Sequence, residues 1–276
     1  HIDLDTPHTL SRFYKGSDLL PNDEYCHTLL KRVADFFSEN QVKATFFVIT
    51  QDLQLNKYGS LLKRLSSEGH EIASHTHTHP YMDNNYSTRL FEEEIRQSCR
   101  EIRSYFGFSP VGFRSPGYFL NADIVRILVE EGFKYDSSVF NSPFTHLLNL
   151  VARMRGASGS VGTLETFDPH VLKESGLQEF PVPTFMGLPY YNNLNLYFPR
   201  FMRSWIALAG AYRDLSPYLF HLIEFADYES DRKTLPKSIL KHPNIMIPLQ
   251  EKINFAKTLI RNLRRRGAIN LTKDCI

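Results

Sequence analysis

Short apolar runs alternate with longer amphipathic segments over the first half of the chain. Residues 43–50 (KATFFVIT) form a β-branched and aromatic run, which is typical of a buried strand. Residues 25–38 and 88–106 instead repeat apolar side chains at the spacing of a helix. Strands that alternate with helices of this length indicate βαβ units and a parallel sheet. The pattern therefore predicts an α/β fold.

The same alternation continues toward the end of the chain. The predicted strands are residues 1–5, 43–50, 71–74, 111–114, 133–136, 178–182, 218–223 and 268–271. The predicted helices are residues 25–38, 58–67, 88–106, 122–131 and 249–264, and Asn121 is the expected N-cap of the fourth. We predict a distorted (β/α) barrel of about seven parallel strands, with its chemistry at the carboxyl ends of the strands.

The regular alternation breaks down between residues 142 and 216, where prolines, a Gly/Ser segment and an aromatic run occur. We interpret residues 1–276 as one catalytic domain with an irregular insertion at about 142–216, before the last strands. Its aromatic residues are compatible with a sugar platform, a lid, a contact with a lipid carrier or membrane surface, or a helix packed over the barrel. They are Tyr190, Tyr191, Tyr197, Phe198, Phe201 and Trp205, with Arg200 and Arg203 interleaved.

Composition narrows the class of protein only slightly. The 32 basic and 30 acidic residues give a net charge of +2, which argues against a nucleic-acid partner. The three cysteines are far apart and favour a reducing compartment, so we expect a cytoplasmic protein, with membrane association left open. The sequence starts at His1 rather than Met, so a preceding signal peptide or anchor also stays open, as does the oligomeric state.

The strongest chemical signal is the segment Ser-His-Thr-His-Thr-His-Pro at residues 74–80, directly after a predicted strand. If a helical turn begins there, His75 and His79 lie four residues apart on one face, while His77 points elsewhere. Two imidazoles on one face form a platform for zinc or a similar metal. The alternative is a polar loop with three hydrogen-bonded histidines.

Two carboxylates alternate at the end of the first predicted strand, in the segment Asp-Leu-Asp at residues 3–5. Either Asp3 or Asp5 would complete a site of two histidines and one carboxylate that leaves a position for water. The other would then act as the base that takes the proton of that water. Alternatively, both are loop or cap residues.

Three segments, in the same order, resemble motifs of the polysaccharide deacetylases, the carbohydrate esterase family with a NodB-homology domain. They are Asp-Leu-Asp-Thr at residues 3–6, Gly-His-Glu-Ile-Ala-Ser-His at residues 69–75 followed by His79-Pro80, and Phe-Arg-Ser-Pro-Gly at residues 113–117. The first motif departs from the usual form, because a leucine separates its two carboxylates. The later Tyr-Asp-Ser-Ser and Glu-Phe-Pro-Val segments resemble a bacterial branch linked to exopolysaccharide or lipid-carried sugars.

The resemblance implies roles for the residues that match these motifs. Asp3 is implied as the general base, while Asp5, His75 and His79 are implied as the metal ligands. Arg114 matches the arginine that orients the base and keeps it ionised through their charge pairing.

Further roles follow from the same resemblance. The N–H of Gly117 takes the oxyanion position, whereas Tyr118 is offset by one residue and receives no role. His221 matches the catalytic acid, and Asp136 is the expected carboxylate that supports it, unless it is a cap or turn residue. Glu224 is interpreted as a loop residue. We expect the base and the acid to flank the metal ligands from opposite sides.

The implied activity is the metal-dependent removal of an N-acetyl group from an amino sugar in a polysaccharide or glycan precursor. One divalent metal is expected, Zn²⁺ before Co²⁺, Ni²⁺ or Mn²⁺, together with an N-acylated sugar substrate whose lipid linkage stays open. The alternatives are a deformylase of a lipid-linked amino sugar, an amidase on a non-sugar amide, and an inactive sugar-binding homologue.

Overall fold

Seven parallel strands form the central sheet of this computed structural model. The structure describes residues 1–13, 20–80, 87–140, 142–154, 169–185, 188–196, 198–199, 202–203, 205, 207–208, 217–235, 237–240, 243–265, 267 and 269–276. The strands of the sheet are β1 (Ile2–Asp3), β2 (Thr45–Val48), β3 (Glu71–Ser74), β4 (Gly112–Phe113), β5 (Tyr135–Asp136), β6 (Gln178–Glu179) and β9 (Phe220–His221). Their order is β6-β5-β4-β3-β2-β1-β9, which places β1 between β2 and the late strand β9.

The sheet is curled into a half-barrel, which confirms the predicted barrel-like fold. In a flat sheet β1 and β4 would lie about 14 Å apart, because neighbouring strands are about 4.8 Å apart. The side chain of Arg114, directly after β4, nevertheless reaches the carboxylate of Asp3 on β1 at 2.8 Å. The hydroxyl of Tyr118, also after β4, lies 3.4 Å from the ring of His221 on β9. Only a strongly curved sheet brings these side chains together.

Helices connect and flank the strands. Their bounds are α1 (Pro7–Phe13), α2 (Asp23–Glu39), α3 (Asn56–Ser67), α4 (Thr88–Phe106), α5 (Ala122–Glu130), α6 (Thr145–Met154), α7 (Pro169–Ser175), α8 (Asn192–Asn195), α9 (Tyr228–Asp231), α10 (Lys237–Leu240) and α11 (Leu249–Arg264). Asn121 caps α5 as predicted, since its side chain accepts a hydrogen bond from the N–H of Ile124. Gly107 ends α4 in the left-handed conformation that a C-terminal cap requires.

The apolar run of β2 is explained by burial on both faces of the sheet. Phe46 packs with α2 and α3 in the main core, whereas Phe47 faces the interior of the curl beside Ala73 and Tyr135. A central parallel strand with both faces covered needs apolar side chains at every position. This is why residues 45–48 read TFFV without alternation.

The predicted final strand at 268–271 is wrong over the part that the structure describes. Residues 269–271 are not in a strand, and a short 3₁₀ helix follows at Thr272–Cys275. The hydroxyl of Thr272 lies 2.6 Å from the ring of His1, at the amino end of β1. Both edges of β1 are already paired, with β2 and with β9, so this segment cannot add to β1 as a strand. It packs across the ends of the strands instead.

The insertion supplies one strand of the sheet and a small hairpin. Strand β6 confirms the predicted strand in the insertion, although it is shorter than residues 178–182. The antiparallel pair β7 (Thr184–Phe185) and β8 (Leu188–Pro189) follows, and then the short helix α8. None of the described helices combines the length and the hydropathy needed to cross a bilayer.

A glycine in β4 allows a tyrosine to lie across the sheet interior. Gly112 is the register partner of Tyr135 on β5, and the Tyr135 hydroxyl donates to Glu71 on β3 at 3.0 Å. A Cβ at Gly112 would lie 2.1 Å from the ring of Tyr135. Any larger residue at position 112 must therefore displace Tyr135 from its buried hydrogen bond.

We predict that Gly112→Ala lowers the free energy of unfolding by about 1–3 kcal/mol or more, because the added methyl group overpacks the sheet interior. Urea denaturation measures this change. Gly267→Ala is the matched control, since a Cβ there meets none of the described atoms within 4 Å; we expect it to stay within about 0.5 kcal/mol. Equal stability of both variants would contradict the role given to Gly112.

Candidate active site

Asp5, His75 and His79 converge at the carboxyl ends of β1 and β3. The Nε2 atoms of His75 and His79 lie 3.5 and 3.2 Å from Oδ1 of Asp5. One ligand atom from each of the three residues lies within 4.8 Å of those of the other two. Within the described residues they are the one such group of metal-binding side chains. The three predicted metal ligands are therefore brought together.

The donor set fits a divalent cation. The Nδ1 atom of His75 lies 2.7 Å from the carbonyl oxygen of Arg114, which can only accept, so Nδ1 carries the proton and Nε2 presents a lone pair. Oδ1 of Asp5 is buried and accepts no hydrogen bond from any described donor. A tetrahedral zinc site has ligand atoms about 3.3 Å apart, given metal–ligand distances of about 2.0–2.1 Å. The separations from Asp5 match this spacing.

The histidines converge through a left-handed loop and not through the predicted helical turn. Residues 75–79 form no helix, and Thr76 and His79 have positive φ angles of 66° and 59°. Such conformations cost non-glycine residues about 1–3 kcal/mol each and persist only where surrounding contacts enforce them. The four-residue spacing identified the two histidines that converge, but through a different backbone conformation.

Contacts from three elements hold this loop, which we call the histidine loop (residues 75–79). The N–H groups of Thr50 and Gln51, at the start of a 3₁₀ helix, donate to the carbonyl oxygens of Thr76 and His77. Arg12 of α1 donates to the carbonyl of Thr78 at 2.9 Å. Glu94 of α4 accepts three hydrogen bonds from residues 77 and 78.

Asp3 lies beside the metal ligands and is paired with Arg114. The distance from Nη1 of Arg114 to Oδ1 of Asp3 is 2.8 Å, and both side chains are buried. The guanidinium also donates to the carbonyl and the hydroxyl of Ser137. A guanidinium at this distance makes a charge-assisted hydrogen bond that fixes the direction of the carboxylate. The predicted Asp3–Arg114 pair is therefore present.

Glu224, and not Asp136, supports His221. Oε1 of Glu224 lies 3.2 Å from Nδ1 of His221, whereas Asp136 accepts hydrogen bonds from the backbone N–H and hydroxyl of Ser138. Asp136 also adjoins Glu179, whose pKa is raised well above its usual value by burial and by the Asp136 charge. The carboxylate of Asp136 thus interacts with residues on or next to β5 and β6, and four strands of the sheet lie between β5 and β9. The expectation for Asp136 is wrong.

A local signal for Glu224 was present in the sequence. His221 ends β9, and a 3₁₀ helix follows at Leu222–Phe225. Side chains three residues apart lie on the same side of such a turn. The segment HLIE therefore positions its own carboxylate against the imidazole.

The charge around His221 favours its protonated form. Burial lowers the pKa of His221, but the hydrogen bond and charge of Glu224, with the charges of Asp3 and Asp5, outweigh burial and raise the pKa from 6.5 to about 9. Two aromatic residues also border the ring, with the Tyr118 hydroxyl 3.4 Å from Nε2 and the Tyr191 ring centroid 5.9 Å away. These charges therefore favour the cationic form of a ring whose side chain is 14% exposed.

A buried chain of hydrogen bonds orients Glu224 from the insertion. Nδ2 of Asn192, the first residue of α8, donates to Oε2 of Glu224 at 2.6 Å. The hydroxyl of Tyr218 in turn donates to Oδ1 of Asn192 at 3.4 Å. Since Oε2 is held in this way, Oε1 stays directed at His221. Sequence reasoning did not identify Asn192, because nothing in the local pattern links residue 192 to residue 224.

His221 and Asp3 lie on the same side of the site, contrary to expectation. Nε2 of His221 is 3.8 Å from Oδ2 of Asp3. The parallel pairing of β1 with β9 sets Asp3 directly opposite His221 in register, so their side chains emerge together. The two groups can therefore act on neighbouring atoms of one substrate.

Gly117 and Tyr118 form a left-handed turn after β4, with φ angles of 63° and 62°. The N–H of Tyr118 donates to the carbonyl of Ser115 at 3.0 Å, and its ring stacks on Phe140. The turn thus directs the Tyr118 side chain toward His221. The oxyanion role of Gly117 stays a prediction.

The described aromatic residues of the insertion have different environments. Tyr190 is buried against Tyr218, Tyr191 faces His221, and Trp205 is 55% exposed. Phe198 packs against the main core. Tyr197, Arg200 and Phe201 lie outside the described residues. Packing over the barrel thus accounts for Tyr190 and Phe198, while Tyr191 borders the site.

Comparisons with known proteins identify related sequences. Residues 18–135 match the family model for polysaccharide deacetylase. A peptidoglycan-N-acetylglucosamine deacetylase of Bacillus cereus is 32% identical over 107 residues, which cover 39% of this chain and 48% of that protein. This chain therefore matches just under half of that relative's length.

Two solved structures resemble this one. The chitin deacetylase of the fungal pathogen Colletotrichum lindemuthianum has a TM-score of 0.49 and 17% identity, over 90% of this chain and 81% of that chain. A family pseudoenzyme from Bacillus anthracis has a TM-score of 0.37 and 17% identity, over 56% of this chain and 59% of that chain.

We predict that a divalent cation stabilises the protein through the three ligands. Zn²⁺ at about 100 times its Kd should raise the free energy of unfolding by about 2.7 kcal/mol. His75→Ala should lose this increase, whereas His77→Ala should keep it, since Nδ1 of His77 faces the Thr50 hydroxyl at 3.0 Å. Unfolding of metal-free protein with and without Zn²⁺ measures both. Equal stabilisation of His75→Ala and the wild type would refute the site.

Proposed function

We propose that this chain, whose residues 18–135 match the polysaccharide deacetylase family model, removes an N-acetyl group from an amino sugar in a polysaccharide or glycan precursor. The observation that carries the proposal is the meeting of Asp5, His75 and His79 with a paired carboxylate and a cationic imidazole. A hydrolase of unactivated amides needs an electrophile for the carbonyl, a base for water and an acid for the leaving nitrogen. The site offers a group for each task.

Asp5, His75 and His79 would hold one divalent metal, and we propose Zn²⁺. Two imidazole nitrogens with one carboxylate oxygen are a donor set that zinc favours in catalytic sites. When bound there, the metal supplies the Lewis acidity that polarises the acyl carbonyl and acidifies a water molecule. The remaining steps belong to the side chains of the chain itself.

Asp3 acts as the general base. Its Oδ1 is held by Arg114, so its Oδ2 is the oxygen that takes the proton from the attacking water. The pairing fixes the direction of the carboxylate. Arg114 thus prepares Asp3 for catalysis without contacting the substrate.

His221 acts as the general acid. An amide expels its nitrogen only when that nitrogen is protonated, and the Nε2–H of a cationic imidazole supplies the proton. Glu224 holds Nδ1, so Nε2 is the nitrogen directed into the site beside Asp3. The backbone N–H of Gly117 would stabilise the tetrahedral oxyanion, as a donor independent of any side chain.

Release of acetate from N-acetylglucosamine oligomers tests the proposal. We expect activity that a chelator abolishes and Zn²⁺ restores. Asp3→Asn should lower kcat by about 10²–10⁴-fold, the typical contribution of a general base, while retaining the metal. An acetate assay and metal analysis measure both effects.

The outcomes separate the proposed roles. Loss of the metal from Asp3→Asn would mean that Asp3 and Asp5 have exchanged roles. Release of formate rather than acetate, identified by mass spectrometry with N-formyl and lipid-linked sugars tested in parallel, would replace the deacetylase by a deformylase. A metal-loaded wild type that hydrolyses none of these substrates would contradict the proposal.

Glu224→Gln should shift the basic limb of the pH–rate profile. The acid must be protonated, so wild-type activity falls as pH rises through about 9, the pKa of His221. A neutral amide removes the charge of Glu224, so the limb should move down by about two pH units, which lowers kcat/KM at pH 8 by about tenfold. Steady-state kinetics between about pH 5 and 10 measure this.

Glu229→Gln is the matched control, because Glu229 on α9 is exposed and lies outside the site. Its profile should match that of the wild type. An unshifted basic limb in Glu224→Gln would show that another group acts as the acid, or that another group charges His221.

A further inference from the structure

Two consecutive backbone N–H groups of the histidine loop point at one carboxylate. Oε2 of Glu94, in the second turn of α4, accepts from the N–H of His77 at 2.9 Å and from that of Thr78 at 2.6 Å. Oε1 of the same residue accepts from the Thr78 hydroxyl at 2.7 Å. Consecutive N–H groups that converge in a tight loop form an anion-binding concavity. In this chain the anion is supplied internally by Glu94.

The histidine loop depends on such a contact because its backbone adopts strained, left-handed conformations. Thr76 and His79 both adopt left-handed conformations, although neither is glycine. These residues flank the two N–H groups that Glu94 binds. A loop that relaxed at Thr76 or His79 would rotate the His79 ring away from His75 and Asp5.

Glu94 acts on a part of the loop that the other contacts leave unheld. The backbone donors at Thr50 and Gln51 and the guanidinium of Arg12 all bind carbonyl oxygens of the loop. The N–H groups at positions 77 and 78 point the opposite way, toward α4. Without an acceptor there, both donors would lose the hydrogen bonds that hold the loop closed.

We propose that Glu94 is a positioning residue of the metal centre, which holds the histidine loop in the conformation that aims both imidazoles at one point. The inference rests on the proposed metal-binding function of Asp5, His75 and His79. Glu94 does not touch the metal ligands' side chains in its hydrogen bonds; it acts through the backbone of the two residues between them. Its effect should therefore be on metal affinity.

Titration of metal-free protein with Zn²⁺ by calorimetry tests the inference without any enzyme assay. In Glu94→Gln the amide keeps the shape of the side chain but removes its negative charge, so the charge-assisted hydrogen bonds to the two backbone N–H groups become weaker neutral ones. We expect a Kd for Zn²⁺ weaker by about 10-fold, the lower end of the range seen when groups that orient metal ligands are altered. Glu93→Gln is the matched control, because Glu93 is its neighbour on α4 with a 61% exposed side chain that faces Arg89. Its Kd should equal that of the wild type.

A second variant separates positioning from general stability. Thr78→Val removes only the hydroxyl bond to Glu94 and retains both backbone contacts, so its Kd should weaken by a few-fold and less than that of Glu94→Gln. If Glu94→Gln does not fold, the Kd of Thr78→Val for Zn²⁺ alone tests the inference. A thermal unfolding midpoint of the metal-free variants that falls while the Kd is unchanged would assign Glu94 a purely structural role and overturn the inference.

Measurements on the wild type separate a failure of the proposed metal site from a failure of the role of Glu94. A wild-type protein that binds no Zn²⁺ overturns the proposed metal site, and the inference with it. A wild type that binds Zn²⁺ and releases acetate, with Glu94→Gln binding Zn²⁺ equally tightly, overturns the role of Glu94 alone.

Discussion

A guanidinium sealed inside the curled sheet is the interaction on which the site depends. Arg114 is fully buried, pairs with Asp3 on β1, donates to Ser137 beyond β5, and lies over the ring of Phe47 on β2 at 4.2 Å. Removing one partner of such a pair costs about 3–5 kcal/mol, because a buried charge is left uncompensated. The curl of the sheet and the pairing of these charges therefore require each other.

The same residue connects the two halves of the proposed chemistry. The guanidinium of Arg114 orients Asp3, and its carbonyl oxygen fixes the protonated nitrogen of His75. Arg114, at the end of β4, thus positions both the proposed base Asp3 and the proposed metal ligand His75. Their relative position is set by the sheet itself, which is more rigid than any surface loop.

The fold and the convergence of Asp5, His75 and His79 followed from the sequence because their signals are local. The apolar run of residues 43–50, the Asn121 cap and the histidine spacing each lie within one short segment. The order of three motifs then joined Asp5 to the histidines, although their contact spans about seventy residues of chain. The left-handed loop was not predicted, because Thr76 and His79 are not residue types that indicate positive φ angles.

The partner of the proposed acid was missed for a different reason. Asp136 lies in the Tyr-Asp-Ser-Ser segment of the resemblance, yet its carboxylate accepts hydrogen bonds from Ser138 two residues away. Which carboxylate reaches His221 depends on strand order, and β9 lies at the opposite side of the sheet from β5. The order of the strands in the sheet cannot be read from the local patterns of a single sequence. Glu224 was within reach of a local argument, whereas Asn192 was not.

The bond between Asn192 and Glu224 changes how the insertion should be regarded. Segments that interrupt a conserved architecture are commonly treated as exchangeable modules that tune which ligand is accepted. Here Asn192 of α8 holds the carboxylate of Glu224, which is almost inaccessible to solvent. That carboxylate in turn raises the pKa of His221 on β9. A chimera that transplanted this segment from a relative would therefore alter proton transfer as well as recognition, and the two properties are constrained to diverge together.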